Sequence, residues 1–207
     1  MSPLTRRTRR PARAGRGVAA AALTVTSALA VAGCTGSIAA STPASNGQSF
    51  VAGSPGTTVF KSGTGPVAPS VSGPLVGGGK LALTAYRGHV VVLNFWGSWC
   101  TPCREEAPGL AALATHFKAS GVRFLGIDIR DSQPSAQAFM SDFRITYPSL
   151  NDPSDNLALD FRNTVPPAGI PTTLVISRTG RITARVIGGA SYNGLKTLVQ
   201  RAAAEPG

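Results

Sequence analysis

Acidic residues are scarce in this chain. Nine Asp and Glu stand against 20 Lys and Arg in 207 residues, a formal net charge of +11, while charged residues of both signs make up only 14%. An excess of cations suits a nucleic-acid binder only when it is spread over a folded surface. Here it is not. Arg6, Arg7, Arg9, Arg10, Arg13 and Arg16 all precede the first apolar run with no acid beside them, and setting these six aside brings +11 down to +5. Nucleic acid is therefore not expected as a partner. Cysteine occurs only at positions 34, 100 and 103, and histidine only at 89 and 116. That excludes a c-type haem site, because Arg104 rather than His follows Cys103, and it leaves His116 without the second histidine a zinc site needs. Asp152, Asp155 and Asp160 lack calcium-loop spacing and read as solvated or capping groups, and His89 reads as a surface or core residue. The length suits one ordinary domain plus an N-terminal extension, which excludes a two-domain enzyme.

What the front does contain is an arginine-rich segment followed by Val18 to Val31 (VAAAALTVTSALAV), the charged-then-apolar order of a secretory signal. The apolar run is too short for a comfortable membrane span. It ends in Val31-Ala32-Gly33-Cys34, which resembles the lipobox of bacterial lipoproteins, so Cys34 is the expected first mature residue and lipid carrier. An uncleaved anchor, or cleavage at a nearby small residue, gives the same extracytoplasmic location. From Cys34 to Pro74 the chain reads as Ser, Thr, Gly and Pro with Lys61 as its only charge. Such a composition buries too little apolar surface to offset its ordering entropy. Residues 34–74 are thus expected to be a flexible tether with an r.m.s. span of roughly 35 Å. The run Gly77-Gly78-Gly79 belongs to it or to the turn entering the domain.

From about Leu75 the pattern becomes periodic, and residues 75–207 are expected to form the domain. Lys80 to Leu83 alternates like an edge strand, and Val90 to Phe95 (VVVLNF) is an apolar run of the kind buried on both faces of a sheet. A helix over Cys100 to Phe117, a buried strand over Val122 to Ile129 and a helix over Ser135 to Phe143 follow. After them come a short helix at Leu157 to Phe161, a hairpin of Thr172 to Ser177 with Arg181 to Ile187, and a closing helix over Leu195 to Ala204. Strand and helix alternate, as in an α/β fold.

Chemistry is concentrated where the first buried strand meets the first helix, at Phe95-Trp96-Gly97-Ser98-Trp99-Cys100-Thr101-Pro102-Cys103. Unpaired N–H groups at a helix start stabilise a thiolate, which is the nucleophilic form of cysteine. Cys100 is placed to be that nucleophile, and Cys103, one turn further in, to resolve what it forms. Pro102 fits a first helical turn. A purely structural disulfide between the two would close almost no loop and add little stability. Trp96 and Trp99 either cover the dithiol or are simple core. Cys103, Glu106, Leu110, Leu113 and Phe117 recur at steps of three and four, one face of a helix, so the Glu106 carboxylate should point inward. Its alternative role is that of a first-turn acid set against the helix dipole, with Glu105 beside it.

These residues resemble the thioredoxin superfamily and, within it, the TlpA/ResA group of membrane-tethered extracytoplasmic thiol-disulfide oxidoreductases. The matching stretches are Val92-Leu93-Asn94-Phe95-Trp96, Trp99-Cys100-Thr101-Pro102-Cys103-Arg104 with Glu106 and Pro108, Gly169-Ile170-Pro171-Thr172-Thr173 and Gly180-Arg181-Ile182. The resemblance implies a thioredoxin fold, a central mixed sheet flanked by helices with an N-terminal strand extension. It implies a cis proline at Pro171 beside the dithiol, with the backbone of Ile170, together with Trp99, Thr101 and Pro102, meeting an extended substrate. It implies no metal or organic cofactor beyond the Cys100/Cys103 couple. The implied partners are exported disulfide proteins such as apocytochrome c and a membrane electron carrier of the CcdA type, the chain acting as a lipid-anchored monomer. Asn94 departs from thioredoxins proper, which carry an aspartate there, and Glu106 matches the glutamate of the TlpA/ResA group. A thiol peroxidase of the peroxiredoxin kind, or an oxidase or isomerase of disulfides, is the alternative activity.

Overall fold

The computed structural model describes residues 51–52, 56–166 and 169–206. The expected signal segment, Cys34 and residues 35–50 lie outside the described residues. In chain order the strands are β1 (Val51–Ala52), β2 (Thr57–Val59), β3 (Ser72–Pro74), β4 (Lys80–Ala82), β5 (Val91–Trp96), β6 (Arg123–Ile129), β7 (Ser149–Asp152), β8 (Thr172–Ile176) and β9 (Ile182–Ile187). The helices are α1 (Thr101–Phe117), α2 (Gln133–Asp142), α3 (Asn156–Asp160) and α4 (Tyr192–Ala204).

Seven strands form one sheet in the order β1-β2-β9-β8-β5-β6-β7. The run VVLNFW makes β5 central because every one of its side chains is buried. It pairs in parallel with β6 and antiparallel with β8, and β7 extends the parallel half. Alternation then sends side chains to two cores. Val91, Leu93 and Phe95 join Leu125, Ile127, Ile129, Leu150, Leu174 and Phe161 on one face. Val92 meets Leu110, Leu113 and Phe117 of α1 and Leu195 and Val199 of α4 on the other. This is the expected mixed sheet flanked by helices.

The tether expectation is corrected for residues 56–74. Strand β2 pairs antiparallel with β9, Thr58 opposite Arg185, and β3 pairs antiparallel with β4. Val59, Phe60 and Val71 are buried, and Phe60 N–H donates to the Thr183 carbonyl. The mean composition conceals these three apolar side chains, whose burial and backbone pairing supply what the Ser, Thr, Gly and Pro around them cannot. Gly77, Gly78 and Gly79 form the turn between β3 and β4, all three at positive φ, a backbone region that side chains with a Cβ rarely adopt. Of the two readings given for Asp152, solvated or capping, the structure shows the second: it ends strand β7, is buried, and its Oδ2 accepts the Ala158 N–H in the first turn of α3 at 2.9 Å.

Candidate active site

The sharp exit from β5 places the dithiol. Trp96 ends the strand, and Cys100 is the N-cap of α1, in extended conformation, with its Sγ accepting the Cys103 N–H at 3.3 Å. Pro102 sits in the first turn, where its missing N–H leaves no partner unsatisfied. Cys100 and Cys103 are joined as a disulfide with their Cα atoms 5.2 Å apart. Both are buried, whereas Thr101 and Pro102 between them are exposed. The Ile170–Pro171 peptide bond is cis, Pro171 is buried, and half-buried Ile170 packs against the cluster that contains both cysteines.

Glu106 lies one turn beyond Cys103 on the same buried face of α1 and is only 6% exposed. Its two oxygens are held separately. Oε1 accepts the Asn94 Nδ2–H at 2.8 Å and Oε2 accepts the Ala190 N–H at 2.7 Å. Asn94 also donates to Thr173 Oγ1 at 3.0 Å, from the strand residue directly opposite it. Burial pushes the Glu106 carboxyl up to about 7, against the two donors, which favour its charged form. The phenol of Tyr147, buried near it, is pushed up by desolvation and by the charge of Glu106.

The two tryptophans differ. Trp96 is buried, stacks on Phe139 with ring centroids 4.4 Å apart, and donates Nε1–H to Ser149 Oγ at 2.9 Å. It can do so because residue 126 is glycine, since a Cβ there would collide with Ser149 Oγ and the indole nitrogen. Trp99 is 52% exposed, donates to the Ile129 carbonyl at 3.3 Å, and carries the Arg130 guanidinium 5.1 Å from its ring centroid. Arg130 is held in turn by Asp155 at 3.1 Å. Beyond Ile170 a cavity of about 260 Å³ is lined by Phe95, Ile129, Ala158, Leu159 and Val165.

The structure thus gathers Cys100, Cys103, Ile170 and Pro171, sets Glu106 beneath them, and leaves Trp99, Thr101 and Pro102 on the exposed rim. Asn94 and Ala190 hold Glu106, and Thr173 accepts from Asn94; none of the three is among the site residues expected from the sequence. Alternation along β5, which sends Asn94 to the α1 face with Val92 and Trp96, was the available signal. His89 is half-buried with Nδ1 against the Gly121 carbonyl at 2.9 Å, and His116 is exposed; neither is in the cluster that contains the two cysteines.

A Cys-x-x-Cys pair opening the first long helix of a mixed sheet, beside a cis proline, defines a thioredoxin-like protein of the dithiol class. Comparison with known proteins places it further: the chain belongs to the AhpC/TSA family, whose model matches residues 64–185. It is 33% identical over 111 residues to the thiol-disulfide oxidoreductase ResA of Bacillus subtilis, covering 54% of this chain and 60% of that one. It is 36% identical over 102 residues to the thiol:disulfide interchange protein HelX of Rhodobacter capsulatus, covering 49% and 53%. The chain therefore spans less than two thirds of the length of these relatives. Among solved structures, a secreted thiol-disulfide isomerase from Corynebacterium glutamicum aligns with a TM-score of 0.69 at 29% identity, covering 77% of this chain and all of that one. A DsbF homologue from Corynebacterium diphtheriae aligns with a TM-score of 0.67 at 29% identity, covering 74% and 98%.

Proposed function

We propose that the protein is an extracytoplasmic, lipid-anchored thiol-disulfide oxidoreductase that reduces disulfides in exported proteins. The observation that carries this reading is the dithiol at the start of α1 with Glu106 buried one turn beyond it and held near neutrality. In the reducing direction the Cys100 thiolate attacks one sulfur of a substrate disulfide. That bond breaks, a substrate cysteine leaves as thiolate, and a mixed disulfide joins Cys100 to the other. Cys103 then gives its proton to the Glu106 carboxylate and attacks Cys100 Sγ. The second substrate thiolate leaves and the Cys100–Cys103 disulfide closes, so two electrons pass from the enzyme dithiol to the substrate. Glu106, now protonated, returns its proton when the pair is reduced again.

The substrate approaches along the exposed rim of Trp99, Thr101 and Pro102 and pairs with the backbone of Ile170 beside Pro171. Apocytochrome c with oxidised haem-site cysteines is the substrate implied by the TlpA/ResA resemblance, and a CcdA-type membrane carrier is the electron donor. No metal or organic cofactor takes part. Secreted relatives among the solved structures support an extracytoplasmic location. Cys34 is the anchor, and Cys34→Ala should abolish lipidation and release the mature protein from membranes; unchanged mass and fractionation would remove the anchor.

The activity is tested by the reduction potential of the Cys100/Cys103 couple. A value near about −270 mV supports a reductant, whereas one near about −120 mV makes the protein an oxidase. Trapping assigns the cysteines: Cys103→Ala should accumulate mixed disulfides and Cys100→Ala few, and equal trapping or the reverse order would overturn the assignment.

A further inference from the structure

A second buried carboxyl lies on the same side of the sheet and takes no part in the steps above. Asp128 of β6 is fully buried, yet no donor reaches either of its side-chain oxygens. A carboxylate in that condition is costly, and the cost falls if it holds a proton. Its neighbours across the sheet are uncharged, Trp96 on β5 and Asn151 on β7. The charges that act on it are those of Asp131, in the following loop, and Asp152, at the end of β7. From α1, Cys100 and Cys103 join the cluster around Trp96 and the Arg104 guanidinium lies 5.8 Å from the centroid of the Phe139 ring that stacks on Trp96, while α2 opens with the uncharged Gln133, Pro134 and Ser135.

Asp131 connects this buried group to the dithiol. Its Oδ2 accepts the Ser98 N–H at 2.7 Å, two residues before Cys100, and its Oδ1 accepts the Ser132 N–H at 2.8 Å. Ser132 is the N-cap of α2. One carboxylate therefore ties the loop that presents Cys100 to the start of the next helix. Asp152 is engaged elsewhere, by the Ala158 N–H.

We propose that Asp128 is a positioning residue for the dithiol: it shares one proton with Asp131, and that proton keeps Asp131 seated on Ser98 and so fixes the loop that carries Cys100. With the proton in place the pair can make a carboxyl–carboxylate hydrogen bond, one of the stronger kinds. Without it two negative charges face each other at low dielectric, and the half-buried Asp131 is the one free to move away from Ser98. Burial, with the charges of Asp131 and Asp152 adding to it, raises the Asp128 carboxyl to about 8, so the proton stays through neutrality and leaves in mild alkali.

The inference rests on the dithiol chemistry proposed above for its importance, but its test needs no substrate. In the full chain, reduced and labelled with ¹³C at the aspartate carboxyls, one resonance should titrate between about pH 7 and 9 and be missing from Asp128→Asn, which keeps an amide donor for Asp131. Alkylation of Cys100 by iodoacetamide should match between wild type and Asp128→Asn at pH 6.5. At pH 9 wild type should fall about two- to fivefold below the variant, the size of a helix-start contribution. If every aspartate titrates in the ordinary acidic range, or if the two alkylation profiles coincide from pH 6 to 10, the proposal is wrong. Both measurements are blind to substrate, so a failure of the oxidoreductase activity leaves them unchanged and is told apart from a failure here.

Discussion

Two buried carboxyls frame the dithiol, and they are kept in different ways. Glu106, on α1, has a donor on each oxygen, Asn94 from β5 and Ala190 from the segment before α4. Asp128, on β6, has none and faces two more acids. Desolvation is the first cause of the upward shift in both. The donors restrain Glu106 at about 7, while like charges add to the rise of Asp128 to about 8. Burial raises both carboxyls, and what differs is the company they keep: donors favour the charged form of Glu106, whereas neighbouring acids favour the protonated form of Asp128.

Several substitutions would break or sharpen this contrast. The largest effect should come from Cys100→Ala, which removes the nucleophile both carboxyls are argued to serve and should abolish disulfide turnover in an insulin-reduction assay. Glu106→Gln keeps shape but ends titration. It should slow turnover about 100-fold, the lower range of general acid–base contributions, and erase an inflection near pH 7 from the pH profile, while Glu105→Gln leaves both unchanged. An unchanged profile in Glu106→Gln would reduce Glu106 to a helix-dipole role.

Stability should respond to both groups with one sign. Each carboxyl has a folded pKa above its unfolded value, 4.5 to about 7 for Glu106 and 3.8 to about 8 for Asp128, so the folded state binds more protons in that interval. Stability is then fullest below about pH 4 as far as these groups go, and is lost as pH rises through 7 and 8. Urea midpoints measured from pH 5 to 9 should fall with pH, and Glu106→Gln and Asp128→Asn should each flatten the decline. The smallest effect is expected from Asn94→Ala. Losing one donor should raise the Glu106 carboxyl further and move the inflection in turnover above pH 7, with a change in rate of only a few-fold; a downward move would contradict the part assigned to Asn94.

Much of this arrangement was legible beforehand because it is written in long, regular segments. The VVLNFW strand, the apolar stripe of α1 that carries Glu106 inward and the Cys-x-x-Cys pair at a helix start all follow from periodicity and spacing. What escaped is short or depends on distant partners. Strand β2 spans three residues, too few for any period to show, and is held by β9 more than a hundred positions away. Strand β7 and the burial of Asp152 escaped for the same reason. Asp128 stands in plain view inside an apolar run, but its meaning depends on Asp131 bridging to Ser98, a contact across 33 positions. Asn94 was legible as a departure from the thioredoxin pattern, and only the fold shows that it grips Glu106.

Cys100 is at once the proposed nucleophile and the residue that caps α1 through its sulfur. Chemistry and architecture therefore draw on one atom, and a thermodynamic cycle binds them. Whatever the folded protein gains by capping α1 with a thiolate rather than with a disulfide sulfur must appear, undiminished, as a displacement of the couple's potential from that of the unfolded chain, about 30 mV for each 1.4 kcal/mol. The difference in unfolding free energy between the oxidised and reduced forms is accordingly a voltmeter. An engineer who alters the first turn of this helix so that it favours the thiolate or the disulfide form unequally retunes the enzyme as an electrode, without touching either sulfur.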